Sequence, residues 1–176
     1  MATQARFRRL YFAYGSNLLP ARLRERTPSA RIVGAAVLPG YRLAWHKHGI
    51  DDSGKCDIVA TDSGADQVHG ALYAIESGDW PALDFAEELG TGYAACSLRV
   101  RIDGRWRIAN SYRALRITPE LRPFDWYKAF VVQGARAHAL PGEYIRALSA
   151  VPVWPDPDQE RHSRNLRILG AASSAD

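Results

Sequence analysis

Short runs of apolar and β-branched residues, each ended by a turn signal, recur through the first two thirds of this 176-residue chain. Runs of this length and composition are typical of strands. The turn signals include Pro39-Gly40 and Asp103-Gly104, of which the second favours a hairpin. The predicted strands are residues 10–13, 32–38, 41–45, 58–61, 68–75, 94–102 and 107–115. Because helices are inserted among the strands and then gather at the end, the sequence predicts an α+β fold with a mostly antiparallel sheet that is closed or nearly closed.

Helical patterns occupy the remaining apolar segments. The predicted helices are residues 18–24, 83–89, 124–137 and 143–150. Asn17 is a plausible N-cap for the first, and Gly90 ends the second. The polar segment 46–54 is predicted to be a loop. The sequence predicts one domain over residues 1–150 and a partly disordered C-terminal tail over 151–176, where prolines cluster and the last residues, 171–176, are frayed.

The charge of the chain permits more than one kind of partner. A net charge of +4 and a pI of about 9.3 would suit an anionic ligand or a nucleic acid. The arginines are scattered, however, and some alternate with apolar residues as in 99–102, which favours solvated strand faces over an RNA groove.

Cys56 and Cys96 fit neither a disulfide framework nor a zinc spacing, and His46 and His48 have no carboxylate pattern beside them. No metal site is predicted.

The hydropathy pattern also bears on location. No stretch approaches the length of a membrane span, and the apolar run 10–13 after Arg8-Arg9 is too short for a signal peptide. We therefore expect a cytoplasmic protein without membrane association.

The turn after the first strand is the first candidate for chemistry. Tyr14-Gly15-Ser16-Asn17 leads from a strand into a helix, so backbone N–H groups can converge there on a carboxylate or an oxyanion. An ordinary strand-to-helix turn with an asparagine cap explains the same residues, and composition alone favours it. Ser16 does not stand in a nucleophile elbow, so a serine nucleophile is not expected.

The second candidate is a carboxylate on the helix that follows Pro81. Trp80, Leu83 and Glu87 are spaced to share one helical face, so Glu87 would point inward with the two apolar residues. Asp84 and Glu88 would lie on a neighbouring face, toward water. An inward carboxylate can serve as a general base. The alternative is three solvated acids on a surface helix, which periodicity alone favours.

A family resemblance changes this balance. The run Leu-Tyr-Phe-Ala-Tyr-Gly-Ser-Asn-Leu at residues 10–18 resembles the signature of the γ-glutamylcyclotransferase family almost letter for letter. Further matches follow in the family's order: Pro28-Ser29-Ala30, then Val68, Gly70 and Tyr73, then Leu83-Asp84-Phe85-Ala86-Glu87, then Tyr127-Lys128, Gly134-Ala135 and Leu140-Pro141-Gly142-Glu143-Tyr144. The resemblance covers roughly residues 10–148.

The resemblance implies a fold, a reaction and a set of site residues. The fold would be a small β-barrel flanked by helices, with the site at its mouth. The reaction would be the cyclisation of a γ-glutamyl amino acid or amine, which releases pyroglutamate and the free amino acid or amine without metal or cofactor. Glu87 would be the catalytic general acid/base. The implied substrate-binding residues are Tyr11, Phe12, Ala13, Tyr14, Gly15, Ser16, Asn17 and Tyr127.

The sequence departs from the family's pattern at two positions, and two other functions remain open. Glu88 stands where the family usually has glycine, and the family's Gly-x-Tyr is shortened here to Gly92-Tyr93, so the role of Tyr93 is open. One rival is a non-catalytic module that binds small molecules in the same pocket; the other is an RNA-binding protein. The identity of the γ-glutamyl substrate is open, and so is the choice between a monomer and a homodimer.

Overall fold

The computed structural model describes residues 7–173, and within them seven strands and five α-helices are found. The strands are β1 (Arg8–Ala13), β2 (Arg31–Pro39), β3 (Tyr41–His48), β4 (Gly54–Ala60), β5 (Gln67–Glu76), β6 (Tyr93–Ile102) and β7 (Arg105–Ala114). The helices are α1 (Pro20–Arg26), α2 (Trp80–Ala86), α3 (Asp125–Ala137), α4 (Gly142–Ser149) and α5 (Gln159–Ser173). Single turns of 3₁₀ helix at Ser16–Leu18 and Ser77–Asp79 precede α1 and α2.

Five of the strands close into a barrel in the order β1-β5-β2-β6-β7. All neighbouring pairs are antiparallel except β1 with β7, which is parallel and whose backbone register pairs only Tyr11 with Asn110. Side chains support this seam, since Asn110 Nδ2 donates to the Leu10 carbonyl at 3.1 Å and Ser111 Oγ donates to the Phe12 carbonyl at 2.8 Å. The predicted α+β fold with a mostly antiparallel, closed barrel is confirmed.

Strands β3 and β4 form a separate two-stranded ribbon beside the barrel. The predicted loop over 46–54 was wrong at both ends, because β3 continues to His48 and β4 begins at Gly54. The end of β3 is polar and lacks the apolar alternation by which a strand is recognised. Its polar side chains can stand in a strand because other parts of the chain provide partners for them. His46 Nε2 lies 2.9 Å from Asp57 Oδ2, and the buried Lys47 is paired with Glu88.

Helix α3 packs against the turn that follows β1. Its buried face includes Phe130, Val131 and Gly134. A Cβ at Gly134 would lie only 2.5 Å from backbone and side-chain atoms of Leu18, so glycine is needed for this close approach. The contact fixes the turn at one end of the barrel, next to α2.

The C-terminal segment contains a helix that the sequence did not predict. Helix α5 packs against α1 and α3, and its Leu169 is buried. The side chain of Asp158 accepts a hydrogen bond from the Arg161 amide at 2.9 Å, which is an N-cap interaction and a signal that the sequence offered. The surrounding prolines and the highly polar first half of the helix obscured it. Of the residues predicted to fray, 171–173 belong to α5, and 174–176 lie outside the described residues.

Among residues 7–173, no helix has both the length and the apolar character needed to cross a membrane.

Candidate active site

Glu87 lies at the C-terminal end of α2, on the face that the spacing predicted. Trp80 and Leu83 are buried, and the Glu87 side chain is only 13% exposed. The predicted helix over 83–89 was too long, since α2 ends at Ala86 and Glu87 is its C-cap. The chain turns away here because the Leu89 and Glu88 amides donate to the Asp84 and Phe85 carbonyls, at 3.0 and 3.1 Å. This is the Schellman arrangement that ends many helices.

The other two acids of this segment do not simply face water, which corrects the prediction for Asp84 and Glu88. Asp84 accepts a 2.6 Å hydrogen bond from the Tyr112 hydroxyl. Glu88 has φ of +52°, a left-handed conformation that usually calls for glycine, and its carboxylate lies 2.6 Å from Lys47 Nζ. The Lys47 side chain is 3% exposed, so the pair is largely withdrawn from water.

Two donors hold one oxygen of the Glu87 carboxylate. Asn17 Nδ2 donates to Oε1 at 2.9 Å, and Arg26 Nη1 donates to the same oxygen at 2.8 Å. Asn17 is itself held, because its Oδ1 accepts from Arg26 at 2.9 Å and its Nδ2 also lies 2.9 Å from the Tyr11 hydroxyl. Among the described residues these hydrogen bonds all end on Oε1, so Oε2 is the oxygen available to a ligand.

The predicted role of Asn17 as an N-cap was therefore wrong. Helix α1 has Leu19 as its N-cap without any side-chain hydrogen bond, and Asn17 lies within the preceding 3₁₀ turn. The side chain is drawn away from the helix end by the stronger hydrogen bonds to charged groups, Glu87 and Arg26.

A small recess of about 20 Å³ opens beside Glu87. Six of the eight predicted substrate-binding residues line it together with Glu87: Tyr11, Tyr14, Gly15, Ser16, Asn17 and Tyr127. Phe12 and Ala13 do not; both are fully buried and pair through their backbone with β5. Side chains alternate along a strand, so Phe12 lies on the opposite face of β1 from Tyr11, and the side chain of Ala13 is a single methyl group.

The sequence missed four residues of this region: Cys56, Tyr93 and Tyr112, which also line the recess, and Arg26. The only signal was the shortened Gly-Tyr at Tyr93. Arg26, Cys56 and Tyr112 belong to α1, the ribbon and β7, and nothing local indicates that these elements meet at Glu87.

Tyrosine hydroxyls around the recess form hydrogen bonds with backbone groups of Cys56 and Tyr112. The Cys56 amide donates to Tyr127 Oη at 3.0 Å, and Tyr93 Oη donates to the Cys56 carbonyl at 2.7 Å. Tyr14 Oη donates to the Tyr112 carbonyl at 2.6 Å. Burial raises the pKa of Tyr14, Tyr93 and Tyr127 well above the ordinary value for tyrosine. The hydroxyls are therefore neutral, and they can orient a substrate without adding charge.

The recess opens into a cleft of about 730 Å³. Ser16, Glu87, Tyr93 and Tyr127 line both. The remaining residues along the cleft are Arg22, Arg26, Lys47, Gly49, Ile50, Asp51, Lys55, Asp84, Phe85, Ala86, Glu88, Leu89, Thr91 and Trp126. Within residues 7–173, no three His, Cys, Asp or Glu side chains converge where a metal ion could bind.

A small closed barrel that presents one held carboxylate to a cleft with neutral hydroxyls has the groups that acid–base chemistry requires. The AIG2-like family model matches residues 67–148. The chain is 30% identical to bovine γ-glutamylcyclotransferase over 147 residues, which cover 81% of this chain and 78% of the bovine protein. The human γ-glutamylcyclotransferase is 31% identical over the same length and coverage. A solved γ-glutamyl cyclotransferase superposes with a TM-score of 0.80 at 25% identity, covering 92% of this chain and 99% of the other. The chain belongs to the γ-glutamylcyclotransferase family and is an enzyme.

Proposed function

We propose that this enzyme cyclises γ-glutamyl amino acids or amines, with Glu87 as the group that moves the protons. The observation that carries the proposal is the Glu87 carboxylate, which lines the cleft and whose Oε1 is held by Asn17 and Arg26, while Oε2 has no hydrogen-bond partner among the described residues. A carboxylate fixed in this way is oriented for proton transfer, which a freely rotating one is not.

The reaction balances without any further reactant. The α-ammonium of the glutamyl group gives a proton to Glu87, and the neutral amine attacks its own γ-carbonyl carbon to form the new C–N bond of the five-membered lactam. The second proton that the ring nitrogen loses passes to water. The bond from that carbon to the leaving nitrogen then breaks, and Glu87 returns the proton to this nitrogen. Pyroglutamate and the free amino acid or amine result. Because the attack is intramolecular, orientation supplies much of the rate.

The recess would receive an oxygen atom of the glutamyl group. Its volume of about 20 Å³ is close to the room that one water molecule needs, so it suits a carbonyl or carboxylate oxygen better than a larger group. We propose that the amides of Gly15 and Ser16 donate to this oxygen, since the first N–H groups of a helical turn have no carbonyl partner within it. The Tyr127 hydroxyl would add a neutral hydrogen bond. The cytoplasmic location and the monomeric or homodimeric state stay predictions.

A panel of γ-glutamyl amino acids and amines, with pyroglutamate release as the readout, tests the proposal. We expect at least one member of the panel to be cyclised and Glu87→Gln to lower kcat by about 10²- to 10⁴-fold, the usual range for loss of general acid–base catalysis. Circular dichroism should show both proteins folded.

Glu88→Gln is the matched control, because it changes the adjacent residue in the same way and keeps an acceptor for Lys47. Its kcat should stay within about threefold of the wild type, since Glu88 performs no proton transfer in the proposed reaction. Equal losses in the two variants would contradict the role of Glu87. Binding of pyroglutamate without turnover of any substrate would favour the non-catalytic module.

A further inference from the structure

Apolar side chains on the cleft are unusually accessible to solvent. Phe85 at the end of α2 is 86% exposed, Ile50 in the β3–β4 turn is 81% exposed, and Leu89 is 45% exposed. All three line the cleft that leads from Glu87. Single exposed apolar residues are common on protein surfaces, but three of them from two separate segments along one ligand cleft are typical of a binding site.

The charged groups of the cleft already have partners. Each of the four cations along the cleft has an acid partner: Arg22 with Glu25 at 3.5 Å, Arg26 with Glu87 at 2.8 Å, Lys47 with Glu88 at 2.6 Å and Lys55 with Asp51 at 2.7 Å. A charged ligand side chain would have to displace one of these pairs, at the cost of an unpaired and partly desolvated charge. The cations of the cleft are therefore already compensated by acids, although the buried Nε of Arg22 has no hydrogen-bond partner among the described residues. What the cleft offers a ligand in addition is apolar contact.

The leaving group is the part of the substrate that reaches this region. Glu87 lines both the recess and the cleft, so in the proposed reaction the bond that breaks lies between them. The recess has room only for an oxygen of the glutamyl group. The space for the leaving fragment is therefore the cleft, which Ile50 and Phe85 also line.

We propose that the enzyme selects γ-glutamyl compounds whose leaving amino acid or amine has an apolar side chain, and that Phe85 and Ile50 determine this preference. The inference rests on the proposed function and names the substrate class within it. Contact with these two side chains removes apolar surface of both partners from water, which stabilises the bound substrate and the transition state alike.

Comparison of kcat/KM for γ-glutamylleucine, γ-glutamylglycine and γ-glutamylglutamate tests the selection. We expect the leucine compound to exceed each of the others by about ten- to two-hundredfold, the range that apolar pockets achieve. The Phe85→Ser and Ile50→Ser variants should each lower the leucine-to-glycine ratio by about threefold or more, mainly through KM.

Ile108→Ser is the control, because Ile108 is 62% exposed on β7 and lies outside the cleft. Its leucine-to-glycine ratio should match that of the wild type. A wild-type preference for the glycine or glutamate compound, or an unchanged ratio in both cleft variants, would overturn the selection while pyroglutamate release still supports the proposed function. Absence of pyroglutamate from every compound would refute both.

Discussion

At the scale of single residues, Asn17 explains how an acid and a cation can share one site. Its amide group donates to Glu87 and accepts from Arg26, so one side chain links the Glu87 carboxylate to its counterion. A carboxylate at this position would repel Glu87, and an apolar side chain would release it. The 3₁₀ turn of Ser16–Leu18, held by α3, sets the position of this amide.

Gly15 is the residue whose replacement distinguishes a role in the site from a role in the turn. Its φ is −112°, so the backbone does not need glycine for a left-handed conformation. A Cβ there would lie 3.1 Å from Cys56 Cβ and 3.2 Å from Tyr127 Oη, both on the recess. We expect Gly15→Val to lower kcat/KM by about 10²-fold, because the side chain fills the recess and displaces Tyr127.

The loss of activity should be larger than the loss of stability. Crowding in a packed site costs roughly 1–3 kcal/mol, which for a chain of this size lowers Tm by about 2–12 °C. Gly64→Val is the matched control, because a Cβ at Gly64 would have nothing within 4 Å. Normal affinity for pyroglutamate in a folded Gly15→Val protein would remove the turn from the site.

At the scale of elements, the end of α2 determines where Glu87 points. The Schellman turn reverses the chain directly after the carboxylate, and Glu88 holds the left-handed position with the help of Lys47. A Cβ at Gly92 would come within 3.0 Å of both Glu88 and Lys47, so this glycine gives the pair its room. The ribbon and α2 are thus joined beside the site by one ion pair.

Glu88→Gly tests which effect dominates at this position. Relief of the left-handed backbone is worth roughly 1–2 kcal/mol, whereas an unpaired buried Lys47 costs about 3–5 kcal/mol. We expect a net loss of about 1–4 kcal/mol in the free energy of unfolding, measured by urea titration.

The double variant Lys47→Met/Glu88→Gly provides the comparison. It keeps the relaxed backbone and replaces the buried cation by an apolar side chain, so its stability should return to the wild-type value or exceed it. A single Glu88→Gly variant as stable as the wild type would contradict the expected dominance of the ion pair, because loss of the pair would then cost no more than the backbone relief of roughly 1–2 kcal/mol.

Local signals predicted some elements well and others poorly. The hairpin of β6 and β7 was predicted within about two residues at each end, because alternation and the Asp103-Gly104 turn are local properties. The end of β3 was missed because its polar residues are buried by partners far along the chain. The order of strands in the barrel depends on such distant pairings and was beyond the sequence pattern.

At the scale of the whole molecule, the C-terminal segment is attached to the domain through Asp156. This side chain is fully buried, and it accepts hydrogen bonds from Trp126 Nε1 of α3 and Arg161 Nε of α5, each at 2.7 Å. Burial raises the pKa of Asp156, but the hydrogen bonds from Arg161, the Asp158 amide and Trp126 outweigh it and lower the pKa from 3.8 to about 2.

Asp156→Asn should destabilise the protein in a pH-dependent way. The folded pKa lies below the unfolded one, so the ionised carboxylate stabilises the fold above about pH 4, and this contribution is lost as pH falls toward 2. We expect the gap in unfolding free energy between wild type and variant to be largest at pH 7 and to narrow below pH 4. The exposed Asp62, changed to asparagine, is the control. A gap that is constant with pH would contradict the proposed ionisation.

For the candidate site too, the sequence indicated the residues that belong to a local pattern and missed those that only the folded chain brings together. Helical phase indicated Glu87, and a contiguous motif indicated the turn from Tyr14 to Asn17. Arg26, Cys56 and Tyr112 come from elements whose proximity exists only after the chain has folded, so no local pattern identified them. Phe12 and Ala13 belong to the same motif as the turn, but strand geometry keeps them in the core.

The seam between β1 and β7 has a consequence for folding kinetics. It joins residues about 100 positions apart, with a single backbone pair and two side-chain hydrogen bonds. Contacts of such high sequence separation require the largest loop closure, so we expect the seam to close after the rate-limiting barrier. Tyr11 of β1 and Tyr112 of β7 both line the recess, so we expect the recess to be complete only after the seam has closed.

Ser111→Ala, which removes the hydrogen bond to the Phe12 carbonyl, makes this measurable by stopped-flow kinetics. A loss of about 1 kcal/mol should accelerate unfolding roughly fivefold and leave the folding rate nearly unchanged. Slower folding in the variant would instead place the seam in the transition state. With late closure, a newly made chain can hold most of its barrel before it has any catalytic activity.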